Sequence, residues 1–174
     1  MIDLDTERMK GRGDAVRDGM KANKLYGLND MCAKYIDKST ELLELGCNEC
    51  VSTRLFCYYA GKVTSIDKYK SPQVDIVKGE FPLFQFINES FHNYLSKCNR
   101  MFDIVYIDGD HMYNSVMSDI HNCLSVIKPG GIISGHDYYT TTNSGVPQAV
   151  SDKLGDFGDP EVFSDSSWLI KLKV

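Results

Sequence analysis

The chain has 174 residues, of which 43% are apolar and 25% charged, and its formal net charge is -5. This length suits one globular domain, and the acidic balance disfavours a nucleic-acid partner, whose phosphates attract basic proteins. Neither a secretion signal nor a run of ~18 apolar residues is found, so we expect a cytoplasmic protein without a membrane partner.

The N-terminal residues 1–24 are charged and interrupted by glycine, which predicts a mobile or frayed helical arm. Residues 25–174 are predicted to form a single domain. Apolar residues recur at helical spacing over 25–38, and the apolar run 41–46 predicts a strand that ends at a glycine. The domain therefore begins with a helix that leads into a first strand.

Strands and helices then alternate along the chain. The predicted strands cover residues 63–67, 83–87, 102–107 and 132–133, and the predicted helices cover 51–60, 90–97 and an apolar stripe from Val116 to Ile127 that ends at 128–131. This alternation predicts an α/β fold with a doubly wound, mostly parallel sheet.

The pattern changes after residue 137. A polar loop over 138–145 precedes a predicted helix over 146–154, and two further strands, 161–163 and 168–172, are joined by a short polar spacer. The prediction is thus a seven-stranded sheet that ends in an antiparallel hairpin.

A glycine ends the first predicted strand and an acid ends the second. Gly46 lets the backbone turn sharply toward a ligand, and Asp67, which lies 21 positions later, can hydrogen-bond a ribose diol. The loop after Gly46 lacks the G-x-G-x-x-G that cradles a pyrophosphate. The pair therefore favours a nucleoside cofactor without pyrophosphate; a tight turn with a surface acid is the alternative.

Several motifs occur in an order that resembles the class I S-adenosylmethionine-dependent methyltransferases. They are E-L-G at 44–46, V-S-T at 51–53, D-I-V-Y-I-D-G-D-H-M-Y at 103–113, K-P-G-G at 128–131, G-H-D at 135–137 and G-V-P-Q-A-V at 145–150. The bacterial small-molecule and sugar O-methyltransferase-like group, with its I-D-G-D-H-x-Y motif, is the most similar part of the family. The resemblance covers residues 42–172 and implies a single Rossmann-like methyltransferase domain.

The first motif departs from the family at Cys50, which stands where the pattern has a second glycine. This change could narrow or reshape the cofactor loop. By the resemblance, Cys47 and Cys50 belong to that loop. Their C-x-x-C spacing leaves a redox pair or a zinc site as alternatives, although the chain has no second C-x-x-C or C-x-x-H.

The resemblance also implies which residues bind S-adenosylmethionine. Glu44 and Gly46 would lie by its methionine part, Asp67 would bind the ribose hydroxyls, and Glu89 with Ser90 would border the adenine. The full predicted set is Glu44, Gly46, Cys47, Asn48, Asp67, Lys68, Glu89, Ser90 and Asp108. For Glu89 a solvated helix cap is the alternative.

Acids and histidines follow the fourth and fifth strands, whose ends meet at one edge of a parallel sheet. By resemblance to metal-dependent O-methyltransferases, Asp108, His136 and Asp137 would bind a divalent cation, Mg²⁺ or Mn²⁺, and His111 would be the general base. His136 replaces an acid of those relatives, and imidazole favours a transition metal. The alternatives are a His136 that orients Asp137 and an Asp110 that caps a loop.

The expected activity is methyl transfer to a hydroxyl of a small-molecule acceptor, with sugars among the candidates, and the polar segment 140–145 would be a lid or would contact the acceptor. His92 and His121 are expected outside the site because neither has an acidic partner at ligand spacing. A metal-dependent hydroxylase-like enzyme and a non-catalytic cofactor-binding domain are the alternatives. A homo-oligomer that completes the pocket is a further option.

Overall fold

The computed structural model describes residues 25–139 and 145–173. The predicted N-terminal arm and most of the predicted polar loop, residues 140–144, lie outside this part of the chain. Within the described ranges every helix is too short or too polar to span a bilayer.

Helices and strands alternate through most of the chain. The helices are α1 (Tyr26–Tyr35), α2 (Val51–Tyr59), α3 (Gln73–Glu80), α4 (Phe91–Leu95), α5 (Tyr113–Cys123) and α6 (Val146–Leu154), followed by a 3₁₀ turn at Gly155–Phe157. The strands are β1 (Glu41–Leu45), β2 (Lys62–Asp67), β3 (Phe84–Asn88), β4 (Phe102–Ile107), β5 (Ile127–Gly135), β6 (Glu161–Val162) and β7 (Trp168–Lys171).

The seven strands form one sheet in the order β3-β2-β1-β4-β5-β7-β6. Strands β1 to β5 pair in parallel, whereas β7 is antiparallel to both β5 and β6. The strand order reverses between β1 and β4, and in open α/β sheets a ligand binds beyond the carboxyl ends at such a point. The predicted mostly parallel sheet with a C-terminal antiparallel hairpin is confirmed.

An apolar core covers each face of the sheet. Successive side chains of a strand point to opposite faces, so Leu42 of β1 joins one core and Leu43 joins the other. Helices α1, α2 and α3 pack on the Leu42 side, and α4, α5 and α6 pack on the Leu43 side. The strand ends and the loops that follow them are thereby held at one rigid edge.

Two local predictions are wrong. Ile127 does not continue the helix, because α5 ends at Cys123 and Ile127 already pairs with Phe102 as the first residue of β5. The segment 128–131 lies within β5, where the register with β4 shifts. Helix α3 was not predicted, since only Val74 and Val77 of its eight residues are buried and such a short stripe is a weak signal.

Candidate active site

A cleft of about 1180 Å³ opens beyond the carboxyl ends of β1, β2, β4 and β5. Most of the predicted site residues line it: Gly46, Cys47, Asn48, Asp67, Lys68, Ser90, Asp108, His111, His136 and Asp137. Glu44 and Glu89 are not among the lining residues. The expectation that His92 lies outside the site is wrong, because His92 also lines the cleft.

Gly46 is the point where the β1–α2 loop crosses the end of β4. Its φ is +89°, and a Cβ added there would lie 2.1 Å from the carbonyl oxygen of Asp108. The Gly46 amide donates a hydrogen bond to the Ile66 carbonyl at 2.9 Å. Only glycine tolerates both the left-handed backbone and this close approach, so the residue brings the loop down onto the strand ends.

Cys50 keeps the turn that the family's second glycine would favour. Its φ is +58°, and its amide donates to the Cys47 carbonyl at 2.6 Å. The Cys50 side chain is fully buried in the core on the Leu42 face and does not line the cleft. The substitution therefore adds backbone strain without filling the cofactor side of the loop.

The thiols of the chain are free, and all except that of Cys98 are buried. A hydrogen bond to Cys50, together with burial, raises the pKa of the Cys47 thiol far above its usual range, so little of it is thiolate. Within the described ranges the one group of three side chains suited to a metal contains neither cysteine.

Asp67 ties the loops after β1 and β2 together. One carboxylate oxygen accepts hydrogen bonds from the amides of Cys47 at 3.2 Å and Asn48 at 3.0 Å, and the other accepts from the Tyr69 amide at 3.0 Å. A carboxylate has about four acceptor positions. The Asp67 carboxylate can therefore accept a further hydrogen bond from a ligand hydroxyl in the cleft.

Glu44 lies in the core beside the cleft. Its carboxylate accepts hydrogen bonds from the hydroxyls of Ser52 at 2.5 Å, Thr53 at 2.6 Å and Ser65 at 2.5 Å. These contacts fix the start of α2 against β1 and β2. The Glu44 side chain therefore supports the cofactor loop from beneath and does not reach the surface of the cleft.

The buried Glu44 makes stability depend on pH. Burial raises its pKa from the ordinary 4.5 to about 7, against the three hydroxyl bonds that lower it, while the charge of Asp108 adds to the rise. The folded chain therefore holds the proton more tightly, so this contribution to stability is full below pH 4.5 and is lost as the pH rises through 7.

Glu44→Gln should remove that dependence. Between pH 5 and pH 8 the free energy of unfolding of the wild type should fall relative to the variant by about 2–3 kcal/mol, measured by denaturant unfolding. Asp159→Asn, which changes an exposed acid, is the control and should follow the wild type. Parallel curves for the wild type and Glu44→Gln would contradict the assignment.

The two residues predicted to border an adenine differ in position. Glu89 pairs with Lys97 at 2.7 Å and does not line the cleft. The Ser90 hydroxyl accepts a hydrogen bond from the Asn93 amide at 3.3 Å, which caps α4, and Ser90 lines the cleft. Asp110, in turn, accepts from the Met112 amide and the Ser115 hydroxyl, as a loop-capping acid does.

The loops after β4 and β5 bring a histidine and two acids together. Asp108, His111 and Asp137 each offer a ligand atom within 4.8 Å of the others. His111 Nε2 lies 2.8 Å from Asp137 Oδ2, and Asp137 has a left-handed backbone with φ +62°. This turn aims the Asp137 carboxylate back across the strand ends toward His111.

His136 contacts the same acid from the other side, with Nδ1 3.3 Å from Asp137 Oδ1. Burial lowers the pKa of His136, but the hydrogen bond to Asp137 and the charges of Asp108, Asp137 and Asp165 outweigh it and raise the pKa to about 9. The group of ligand atoms within 4.8 Å of one another comes from Asp108, His111 and Asp137, and His136 of the predicted set is not part of it.

The sequence profile of the methyltransferase domain family matches residues 43–138, which is more than half of the chain. This stretch runs from β1 through the loop after β5 and contains most of the residues that line the cleft just described. The chain belongs to the methyltransferase domain family. A search among curated proteins found no significant match.

Solved structures share the fold of this methyltransferase domain. A candidate S-adenosylmethionine-dependent methyltransferase from Streptococcus mutans has a TM-score of 0.66 at 14% identity; the match covers 85% of this chain but 48% of that one. A candidate O-methyltransferase from Klebsiella pneumoniae has a TM-score of 0.67 at 15% identity, with 98% and 90% covered. A second Streptococcus mutans protein, complexed with S-adenosylhomocysteine, has 0.56 at 13%, with 82% and 90% covered.

These similarities confirm the predicted class I methyltransferase at the level of family and fold. The chain spans about half the length of the first Streptococcus mutans protein. The neighbours differ in stated substrate, since an rRNA methylase from Streptococcus thermophilus is also among them.

The cleft residues of the methyltransferase domain that the sequence analysis missed include Tyr106, Asp119 and Asp165. Asp165 accepts hydrogen bonds from the amides of Leu28 at 2.7 Å and Ser167 at 3.0 Å, so the hairpin turn reaches the cleft. Nothing in the spacing of residues 164–167 indicates this. Asp119 could have been found from the sequence, because it lies on the polar side of α5, the first helix after β4.

Proposed function

We propose that this methyltransferase domain transfers the methyl group of S-adenosylmethionine to a hydroxyl of a small molecule. The observation that carries the proposal is the His111–Asp137 pair, at 2.8 Å, in the same cleft as Gly46 and Asp67. A hydroxyl must lose its proton as it attacks a methyl group, and a histidine held by a carboxylate suits that task.

The residues of the cleft fit the parts of the proposed methyl donor. Asp67 can accept hydrogen bonds from the ribose hydroxyls, and the loop from Gly46 to Asn48 adjoins the same wall. Three of the acids that line the cleft are Asp108, Asp137 and Asp165. Their charge favours a cationic sulfonium over the neutral thioether that remains after transfer.

The His111–Asp137 bond also fixes the tautomer that a base needs. If Nε2–H donates to Asp137, the lone pair lies on Nδ1. In the proposed step the hydroxyl oxygen bonds to the methyl carbon, the carbon–sulfur bond breaks and the proton passes to Nδ1. Asp137 then stabilises the imidazolium that forms.

A bound divalent cation is the second candidate arrangement, favoured by the ligand atoms of Asp108, His111 and Asp137 within 4.8 Å. Two carboxylates and one imidazole suit Mn²⁺ or another transition ion, and three protein ligands would leave positions for an acceptor. When bound, such a cation would lower the pKa of a coordinated hydroxyl. His111 would then be a ligand, so the base and the cation compete for one side chain.

The proposed acceptor is a small molecule rather than RNA. The cleft lining contains six aspartates against two lysines, and the whole chain carries a net charge of -5. A nucleic-acid backbone would be repelled by this surface. Sugars remain among the candidates because they offer hydroxyls in a polar cleft.

A transfer assay with S-adenosylmethionine carrying a tritiated methyl group tests the proposal. Pooled small-molecule hydroxyl acceptors should gain label, and adenosylhomocysteine should form in equal amount. Turnover that continues in chelator supports the base arrangement, whereas loss in chelator with recovery in Mn²⁺ supports the cation. Product oxidation without label would favour the hydroxylase-like alternative, and binding without turnover would favour a non-catalytic domain.

Asp67→Ala should weaken adenosylhomocysteine binding by roughly 5- to 150-fold, because it removes charged acceptors for the ribose diol. Calorimetry measures the affinity directly. Asp156→Ala removes an equal charge at an exposed position outside the cleft and is the matched control. Equal affinities for the two variants would remove Asp67 from the proposed binding site.

A further inference from the structure

One corner of the cleft contains an acid that the proposed mechanism does not use. A Cβ placed on Gly109, just after β4, would lie 2.6 Å from Cε2 of Phe91 and 3.6 Å from Oδ2 of Asp119. The bare backbone at Gly109 thus lets the Phe91 ring pack directly against it, with the Asp119 carboxylate close to the same point. Phe91, Gly109 and Asp119 all line the cleft.

The Asp119 carboxylate is only partly exposed, yet it receives no hydrogen bond from any residue in the ranges 25–139 and 145–173. Burial raises its pKa to about 6, the charge of Asp110 adds to the rise, and Lys68 lowers it. A partly desolvated carboxylate without donors is costly to the folded chain. A ligand with an N–H at this corner would supply the missing donor.

Glu89, the acid expected to border an adenine, is poorly placed to accept a hydrogen bond from a ligand in this corner. Glu89 pairs with Lys97 at 2.7 Å and is absent from the cleft lining. The amine on the adenine ring nevertheless needs an acceptor, and the ring needs an apolar surface. Asp119 and Phe91 supply these two features within one corner.

We propose that Asp119 is the specificity-determining residue for adenine, accepting a hydrogen bond from its exocyclic amine while the ring packs near Phe91. The inference rests on the proposed function, since it assigns the base of the same nucleoside cofactor. It also separates two duties: Asp67 binds the ribose through its hydroxyls, and Asp119 distinguishes the base.

S-inosylhomocysteine provides the test, because it replaces the adenine amine with a carbonyl oxygen that a carboxylate repels. The wild type should bind adenosylhomocysteine roughly 10- to 100-fold more tightly than the inosyl analogue, as expected for a hydrogen bond to a charged group. Asp119→Asn has an amide that donates to the carbonyl. The preference should therefore fall to near one or reverse.

Asp119→Ala provides a second measurement, since it removes the acceptor without adding a donor and should bring the preference close to one. Both changes remove a poorly solvated charge, so the folded chain should tolerate them. Asp156→Asn is the same change at an exposed site outside the cleft and should keep the wild-type preference.

Three results would overturn the inference. If both Asp119 variants still prefer adenosylhomocysteine over the inosyl analogue, the role of Asp119 is overturned and the proposed function stands. A preference that is lost in Glu89→Gln but kept in Asp119→Asn assigns the base to Glu89 instead. A wild type that binds neither compound overturns the proposed function, and this inference fails with it.

Discussion

Replacing His111 with alanine should lower turnover by roughly 10²–10⁴-fold, which is the usual cost of losing a positioned acid or base. Affinity for adenosylhomocysteine should stay within about threefold of the wild type, because His111 contacts Asp137 rather than the loops at Gly46 and Asp67. The pair is therefore expected to act on the acceptor. Single-turnover methyl transfer and calorimetry measure the two quantities separately.

His121→Ala is the matched control, since His121 is exposed on α5 and does not line the cleft. Asp137→Asn should also lower turnover, because the amide cannot hold the imidazolium as the carboxylate does. Mn²⁺ binding distinguishes the two roles of His111. If His111 is a base, His111→Ala should bind Mn²⁺ as the wild type does. If His111 is a metal ligand, the variant should bind Mn²⁺ more weakly. Normal turnover in the variant would exclude both roles.

Gly46→Ala should abolish cofactor binding and destabilise the fold. The added Cβ would meet the Asp108 carbonyl at 2.1 Å, and φ of +89° strains any side chain. Left-handed strain and overpacking cost about 1–3 kcal/mol each, so the free energy of unfolding should fall by about 2–6 kcal/mol. Affinity for adenosylhomocysteine should fall more than about 100-fold, since the loop can no longer rest on the strand ends.

Gly79→Ala provides a control with the same added methyl group. No atom lies within 4 Å of a Cβ at Gly79, which is in α3, so alanine there should stabilise the chain by up to about 1 kcal/mol. Thermal unfolding and calorimetry on both variants decide the matter. A Gly46→Ala protein with the wild-type unfolding midpoint would show that the loop can move away at no cost.

The backbone of the cleft could be predicted from the sequence because strand ends and glycine turns have local signals. Gly46 and Asp67 each end an apolar run, and parallel pairing then brings them to one edge. Asp108 and Asp137 follow the ends of β4 and β5, and the parallel pairing of these two strands brings them to the same edge.

Side-chain direction at that edge could not be predicted in the same way. His136 and Asp137 are neighbours in sequence, but the left-handed turn at Asp137 decides that its carboxylate meets His111. A non-glycine residue in that conformation has no reliable sequence signal. The side-chain direction of Glu44 was easier to predict. Glu44 shares a strand face with the buried Leu42, so its side chain points under α2.

The burial of the thiols makes this chain a natural reporter of its own opening. Because Cys98 alone is partly exposed, a maleimide dye added to the native protein should attach there first, close to the end of α4. The remaining thiols can react only when a segment around them opens, so their slower labelling rates measure local opening free energies. The labelling rates of Cys47 and Cys50 would report how often the loop at Gly46 opens. Slower labelling with adenosylhomocysteine present would report closure of that loop without any engineered probe.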